Sequence, residues 1–260
     1  MSRIRTQLVG ILNLTPDSFS DGGQFNQTAE QSPQRALSLM QDGADMIDIG
    51  AESTRPGAKR LTPEEELARI LPLLNLSLER NVKLNFSLDT LNWQTVLAVH
   101  ELGLNFIVNN VAGLSDPKMR KVVAELNLKV IISHLPFSAG GEPQTAHRSK
   151  LIDSVEQVLS ELMEYTHQAI SDGIDKANII LDPGIGFGKT PECNRKLLSF
   201  AELVPEYPVM IGYSRKRFLG EDRMEIEPNL EAGRVAISSG AAYLRVHDVA
   251  AHQKLLLNLS

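Results

Sequence analysis

Cysteine is almost missing from this chain of 260 residues: Cys193 is the single one. That excludes an internal disulfide framework and any all-cysteine metal site, and it makes a reducing compartment the natural expectation, with Cys193 incidental rather than catalytic. Excess positive charge is also lacking. A formal net charge of −6 and a pI near 5.6 argue against the broad basic surface with which proteins hold nucleic acid through its phosphates, so an anionic ligand must be held by local cations. Long apolar runs are missing too. The first residues carry Arg3 and Arg5, but the apolar run behind them breaks at Asn13, too short for a signal sequence or a membrane anchor. A cytoplasmic protein with no nucleic-acid partner and no membrane partner is expected.

What is there is an ordinary globular composition, with 42% hydrophobic and 22% charged residues. Eight short apolar runs rich in β-branched residues read as buried parallel strands: Leu8 to Leu12, Met46 to Ile49, Leu84 to Leu88, Phe106 to Val108, Val130 to Ile132, Ile179 to Leu181, Val209 to Ile211 and Tyr243 to Val246. Helix signals lie between them. Thr62-Pro63-Glu64-Glu65 is a capping box with proline at the first helical position, followed by an apolar stripe of Leu67, Ile70, Leu71, Leu74 and Leu78. Ser32-Pro33 opens another helix that Gly43 closes, and Val155 to Ile170 is a third amphipathic run closed by Gly173. Strand followed by helix, eight times and without a linker, predicts one α/β domain over 1–260, a (β/α)8 TIM barrel, with a doubly wound open sheet as the rival. The barrel is preferred because each strand is followed closely by polar side chains: Asn13, Glu52 with Arg55, Asp89, Asn109, His134, Asp182, Ser214 to Arg217, and Arg245 with His247. Closure would bring all of them to one rim, where such barrels keep their sites.

Several stretches carry chemistry. NLTPDSFSDGG, residues 13–23, leads into a long loop that reads either as a lid or as a set of turn formers. In DIGAESTRPGA, residues 48–58, an arginine beside a Pro-Gly turn suits a carboxylate or phosphate, although the same residues also suit a solvated turn. Asp89 in SLDT and Asp182 in DPGIGFGK each end an apolar run, where a lone aspartate is usually a helix cap. Two such aspartates with Asn109 on one rim instead suit the donors and acceptors of a flat heterocycle. Gly184, Gly186 and Gly188 do not fit the dinucleotide fingerprint, so no nucleotide cofactor is inferred. GYSRKRFLG, residues 212–220, and LRVHDV, residues 244–249, gather Arg215, Lys216, Arg217, Arg245 and His247 against the acidic balance of the chain. Loops after strands seven and eight of a barrel often hold phosphate, so a diphosphate is the expected guest.

These blocks, together with the VNN of residues 108–110, resemble the dihydropteroate synthase family in its order and at close to its spacing. The resemblance covers the chain from first strand to last. It implies a transferase of the alkyl/aryl type in folate biosynthesis, joining 6-hydroxymethyl-7,8-dihydropterin diphosphate to 4-aminobenzoate. It places the pterin against Asp89, Asn109, Asp182 and Lys216, and the diphosphate against Arg245 and His247. It implies Mg2+ seated by Asn13, loop one and the turn Ser53-Thr54-Arg55-Pro56 closing over the site, and Thr54, Pro56, Phe187 and Ser214 bordering the aminobenzoate, where sulfonamides would compete. Lys216, Arg55, Asp89 and Asp182 are its catalytic set, and a homodimer through outer helices is its assembly.

The chain departs from the family pattern at Asn110, where aspartate is usual, at Ala51 for glycine, and at Ser133 for methionine. The stretch from Gly220 to Arg245 is short by a few residues, and Pro136 to Pro143 is unusually rich in Pro and Gly. A weak or inactive pterin-binding paralogue is the alternative these departures suggest. A pterin-dependent methyltransferase is disfavoured, because it has no need of the SRK and RVH cations.

Overall fold

The computed structural model describes residues 5–15, 32–52, 60–136 and 151–259. Strands and helices alternate along them: β1 (Gln7–Asn13), α1 (Ser32–Gln41), β2 (Met46–Gly50), α2 (Pro63–Glu79), β3 (Phe86–Asp89), α3 (Trp93–Glu101), β4 (Ile107–Asn110), α4 (Pro117–Glu125), β5 (Lys129–Ser133), α5 (Val155–Ser171), β6 (Ile179–Asp182), α6 (Pro191–Lys196), β7 (Met210–Ile211), α7 (Ile226–Ser238), β8 (Tyr243–Val246) and α8 (Val249–Leu259). Every pairing is parallel, in the order β6-β5-β4-β3-β2-β1-β8-β7. A parallel bridge between Leu181 and Val209 joins the two ends. The sheet is therefore a (β/α)8 barrel, and the open-sheet rival is excluded.

The helices begin where local chemistry says they should. Thr62 caps α2 through its side chain, the Glu65 carboxylate returns the bond to the Thr62 N–H, and Pro63 fills the first turn. The buried face of α2 differs from the expected stripe. Ile70 and Leu74 are buried, but Glu66 and Leu73 take the other inward places, Leu67 and Leu71 are only half-buried, and Leu78 is 44% exposed. An apolar tally misses this because a buried carboxyl, whose Oε2 accepts from Thr90, Asn92 and Thr95, occupies a core position.

Period-two alternation divides each strand between two environments. Outward residues such as Leu8, Ile47, Ile49, Leu88, Val108, Ile132 and Leu181 join the helices in the main core. Inward residues Val9, Met46, Ile131, Ile180 and Met210 form a separate plug, with Ile107 and Tyr243 packed against it. Two residues further along β2, β4, β5, β6 and β8 the inward positions turn polar, at Asp48, Asn109, Ser133, Asp182 and Arg245, with Ser87 on β3, whereas β1 and β7 carry Ile11 and Gly212 there. That change of layer creates the site.

Candidate active site

The polar layer is tied together across the barrel. Asp48 on β2 is fully buried; its Oδ1 accepts from Ser87 Oγ at 2.6 Å and Asn109 Nδ2 at 3.1 Å, and its Oδ2 accepts from Arg245 Nε at 2.6 Å. Arg245 donates with its other arm to Asp89 Oδ2 at 3.3 Å, so one guanidinium links two carboxylates. A side chain at Gly50 would touch the Asp89 carboxyl, and one at Gly212 would lie within 4 Å of both Arg245 and Asp182.

Across the mouth, Asp182 Oδ1 accepts from the Gly184 N–H at 2.7 Å and Oδ2 lies 3.5 Å from Ser133 Oγ. Lys216 Nζ donates to the Ile185 carbonyl and stands 4.9 Å from the centre of the Phe187 ring. Asp89, Asn109, Asp182, Lys216, Arg245 and Phe187 therefore converge on one end of the barrel. Asn109 Oδ1 is buried with no hydrogen-bond partner among the described residues.

The electrostatics follow from this crowding. Burial raises the Asp89 carboxyl well above the usual range, the neighbouring Asp48 raises it further, and Arg245 opposes both. Burial likewise raises Asp182, against Lys216 and the Gly184 N–H. Lys216 is brought down to about 8 by burial, with Asp182 opposing and Arg245 assisting. Burial would lower Arg245 too, but Asp48 and Asp89 outweigh it and hold it above its ordinary value, a fixed cation.

The expected cation cluster divides. Lys216 enters the barrel mouth, Arg215 turns to Asp248 at 2.9 Å, and Arg217 is exposed. Arg245 is bound to the inward acids rather than standing unpaired on the rim. His247 Nδ1 lies 3.0 Å from Ser214 Oγ, and burial, then the nearby Arg215, Arg245 and Lys216, pushes its pKa down to about 3, so the ring is neutral. Asn13 ends β1 with an exposed side chain. Ser53, Thr54, Arg55 and Pro56, most of loop one and residues 137–150 lie outside the described residues.

Sequence reasoning missed four residues. Asp48 and Ser87 stand inside apolar runs, where an inward polar residue was itself the signal. Asn229 on α7 is fully buried and accepts from the Arg215 N–H at 2.8 Å, securing the turn in which Arg215 adopts φ +59°. Glu66 gathers the side chains of Thr90, Asn92 and Thr95 just beyond Asp89. The departures also find explanations. Asn110 Oδ1 accepts the Ala112 and Leu114 N–H groups, a role its amide fills as a carboxylate would.

The barrel gathers paired acids, an amide and two cations at one end of its strands, and the family model described as pterin binding enzyme matches residues 9–247. The chain belongs to that family. Within it, similarity runs to the dihydropteroate synthases: the Bacillus subtilis enzyme is 36% identical over 254 residues, 94% of this chain and 84% of that protein. The Xanthomonas albilineans dihydropteroate synthase solved with 4-aminobenzoic acid is 38% identical, with a TM-score of 0.82 over 98% of this chain and 92% of its own. The Yersinia pestis dihydropteroate synthase solved with a sulfonamide drug is 31% identical, with a TM-score of 0.87 over 100% of this chain and 94% of its own.

Proposed function

We propose that this protein condenses 6-hydroxymethyl-7,8-dihydropterin diphosphate with 4-aminobenzoate, releasing 7,8-dihydropteroate and diphosphate. The observation that carries this reading is the joint placement of Asp89, Asn109 and Asp182 with Lys216 at one barrel mouth, in a chain that matches dihydropteroate synthase over 94% of its length. The acids and the unpartnered Asn109 oxygen accept from the N–H edge of the ring, while Lys216 donates to its acceptors.

In the reaction the bond from the pterin methylene to the diphosphate oxygen breaks, and the oxygen keeps the electron pair. The methylene carbon then takes the lone pair of the arylamine, which loses a proton. Asp89 and Asp182 stabilise the positive charge that develops on the pterin. Ser214 and His247 offer hydrogen bonds to the diphosphate, and burial with the nearby cations disfavours charge on the imidazole before the anion binds. No protein nucleophile takes part. The cation must be kept from water, a task the family resemblance assigns to Thr54, Arg55 and Pro56, which lie outside the described residues.

Mg2+ belongs to this reading. The exposed amide of Asn13 at the end of β1 suits an ion that keeps most of its ligands as water and phosphate oxygens; when bound, the ion would neutralise charge on the leaving diphosphate. A homodimer through the outer helices is supported by exposed Leu203, Ile226, Val235, Leu257 and Leu259, apolar surface that a partner would cover. A cytoplasmic location accords with a lone buried cysteine, and no described helix is long and apolar enough to cross a membrane. Sulfonamides compete with 4-aminobenzoate. The test is to incubate purified protein with both substrates and Mg2+ and to quantify dihydropteroate and released diphosphate. Pterin binding without product would sink the reading in favour of an inactive paralogue.

A further inference from the structure

Lys189 closes the loop that follows β6, yet its side chain takes no direct part in the reaction above. The residue is 5% exposed, and its Nζ donates to the carbonyls of Gly184 at 2.8 Å, Phe187 at 3.0 Å and His134 at 3.3 Å. Three carbonyls use up the three donors of an ammonium group. Burying that group is costly, and packing alone would be served by an apolar side chain of similar length. The loop has little stiffness of its own, because Gly184, Gly186 and Gly188 all adopt positive φ.

The same loop builds the pocket wall. Its Gly184 N–H holds Asp182, its Ile185 carbonyl holds Lys216, and its Phe187 ring lies beside the Lys216 amine. Lys189 thus stands one bonded step from both charged groups that face the ring. We propose that Lys189 is a positioning residue for pterin recognition, pinning the loop after β6 so that Asp182 and Lys216 hold their places and supplying positive charge behind Asp182. This rests on the reaction assigned above.

The charges facing Lys189 set its behaviour. Asp182 comes from β6, Lys216 from the loop after β7, Cys193 from α6 and Glu161 from α5, and His134 offers its carbonyl after β5. Burial lowers the amine to about 7, with Asp182 opposing, and Lys189 in turn holds Asp182 down. A side chain acting only as scaffold would leave the titration of Asp182 unmoved.

The test is Lys189→Met, which keeps length and apolar volume and removes charge and donors. Folded fraction is measured by circular dichroism and thermal melting, and kinetics are corrected to it. The expected result is a KM for the pterin diphosphate raised roughly tenfold or more, the loss of about one charged hydrogen bond, with the acid limb of its pH profile moved to higher pH. Lys189→Gln, which keeps two donors without the charge, recovers part of the KM but not the acid limb. A folded Lys189→Met with wild-type KM and profile overturns the proposal, and so does failure of both variants to fold, which would assign Lys189 to the scaffold alone. If the wild type shows no turnover, the reaction assignment fails instead; calorimetric titration with the pterin diphosphate then decides on Lys189 by the same tenfold and pH criteria.

Discussion

Replacing Asp48 with asparagine is the sharpest perturbation of the polar layer, because it keeps shape and removes one charge. In the native arrangement Asp48 accepts three bonds, from Ser87 at 2.6 Å, Asn109 at 3.1 Å and Arg245 at 2.6 Å. An asparagine has one acceptor oxygen. If that oxygen faces Arg245, its amide N–H2 faces the Asn109 N–H2, donor against donor; turned the other way, it confronts the guanidinium. Either way a buried donor loses its partner.

Removing one member of a buried ion pair typically costs about 3–5 kcal/mol. Arg245 keeps Asp89 at 3.3 Å, so the low end applies, about 3 kcal/mol. For a chain of this size that lowers Tm by roughly 6–12 °C. The active site responds as well. Arg245 loses its shorter contact and turns toward Asp89, and a displacement of this kind reduces kcat/KM roughly 100-fold. Asp48 is also the like charge that raises Asp89, so its removal lets the Asp89 carboxyl fall and moves the acid limb it governs to lower pH. The assay is a thermal melt followed by kcat/KM for the pterin diphosphate across pH. A variant that melts within about 2 °C of wild type with an unmoved acid limb would refute the claim that Asp48 anchors Arg245.

Three further outcomes are expected. Lys216→Ala lowers kcat roughly 100-fold or more by removing the donor that the proposed reaction sets against the pterin, whereas Arg245→Ala also destabilises by about 3–5 kcal/mol, since it leaves Asp48 and Asp89 facing each other; paired turnover and urea-unfolding measurements separate the two. Gly184→Ala yields little folded protein, because the new methyl carbon would lie 1.9 Å from the His134 carbonyl oxygen at a backbone φ of +63°; soluble yield reports this. His247 resists protonation down to about 3, so between its ordinary 6.5 and that value the unfolded chain takes a proton the folded one refuses, and stability falls with falling pH. His247→Asn removes that share of the slope, read from urea unfolding between about pH 6.5 and 4.

The eight strands were legible because parallel barrel strands are buried on both faces and therefore read as continuous apolar runs. Their ends were legible within a residue or two, as at Tyr243–Val246, which matches, and at β3, which begins at Phe86 rather than Leu84. The same property hid the inward layer. Reading each run as uniformly apolar put the chemistry after the strands, at Asp89, Asp182 and Arg245, and passed over Asp48 and Ser87 within them. A list of nearby cations likewise carried no information on pairing. Arg215 and Arg245 differ in role because Asp248 lies on one side and Asp48 with Asp89 on the other, which only the closed barrel decides.

Charge in the barrel mouth also bears on how the proposed substrate would sit. Asp48, Asp89 and Asp182 lie in the mouth against Lys216 and Arg245, and Arg245 is already divided between two of the acids. The floor is therefore short of positive charge and favours a ring that donates N–H groups and becomes cationic as its bond to oxygen breaks. A diphosphate placed there would lie against the acidic side chains of Asp48, Asp89 and Asp182 in a low dielectric, which disfavours it. Under the proposed reaction the diphosphate points away from that floor, on the side of Ser214 and His247. The bond that breaks then lies between the acidic floor and the pair of Ser214 and His247, with the developing ring cation beside the acids.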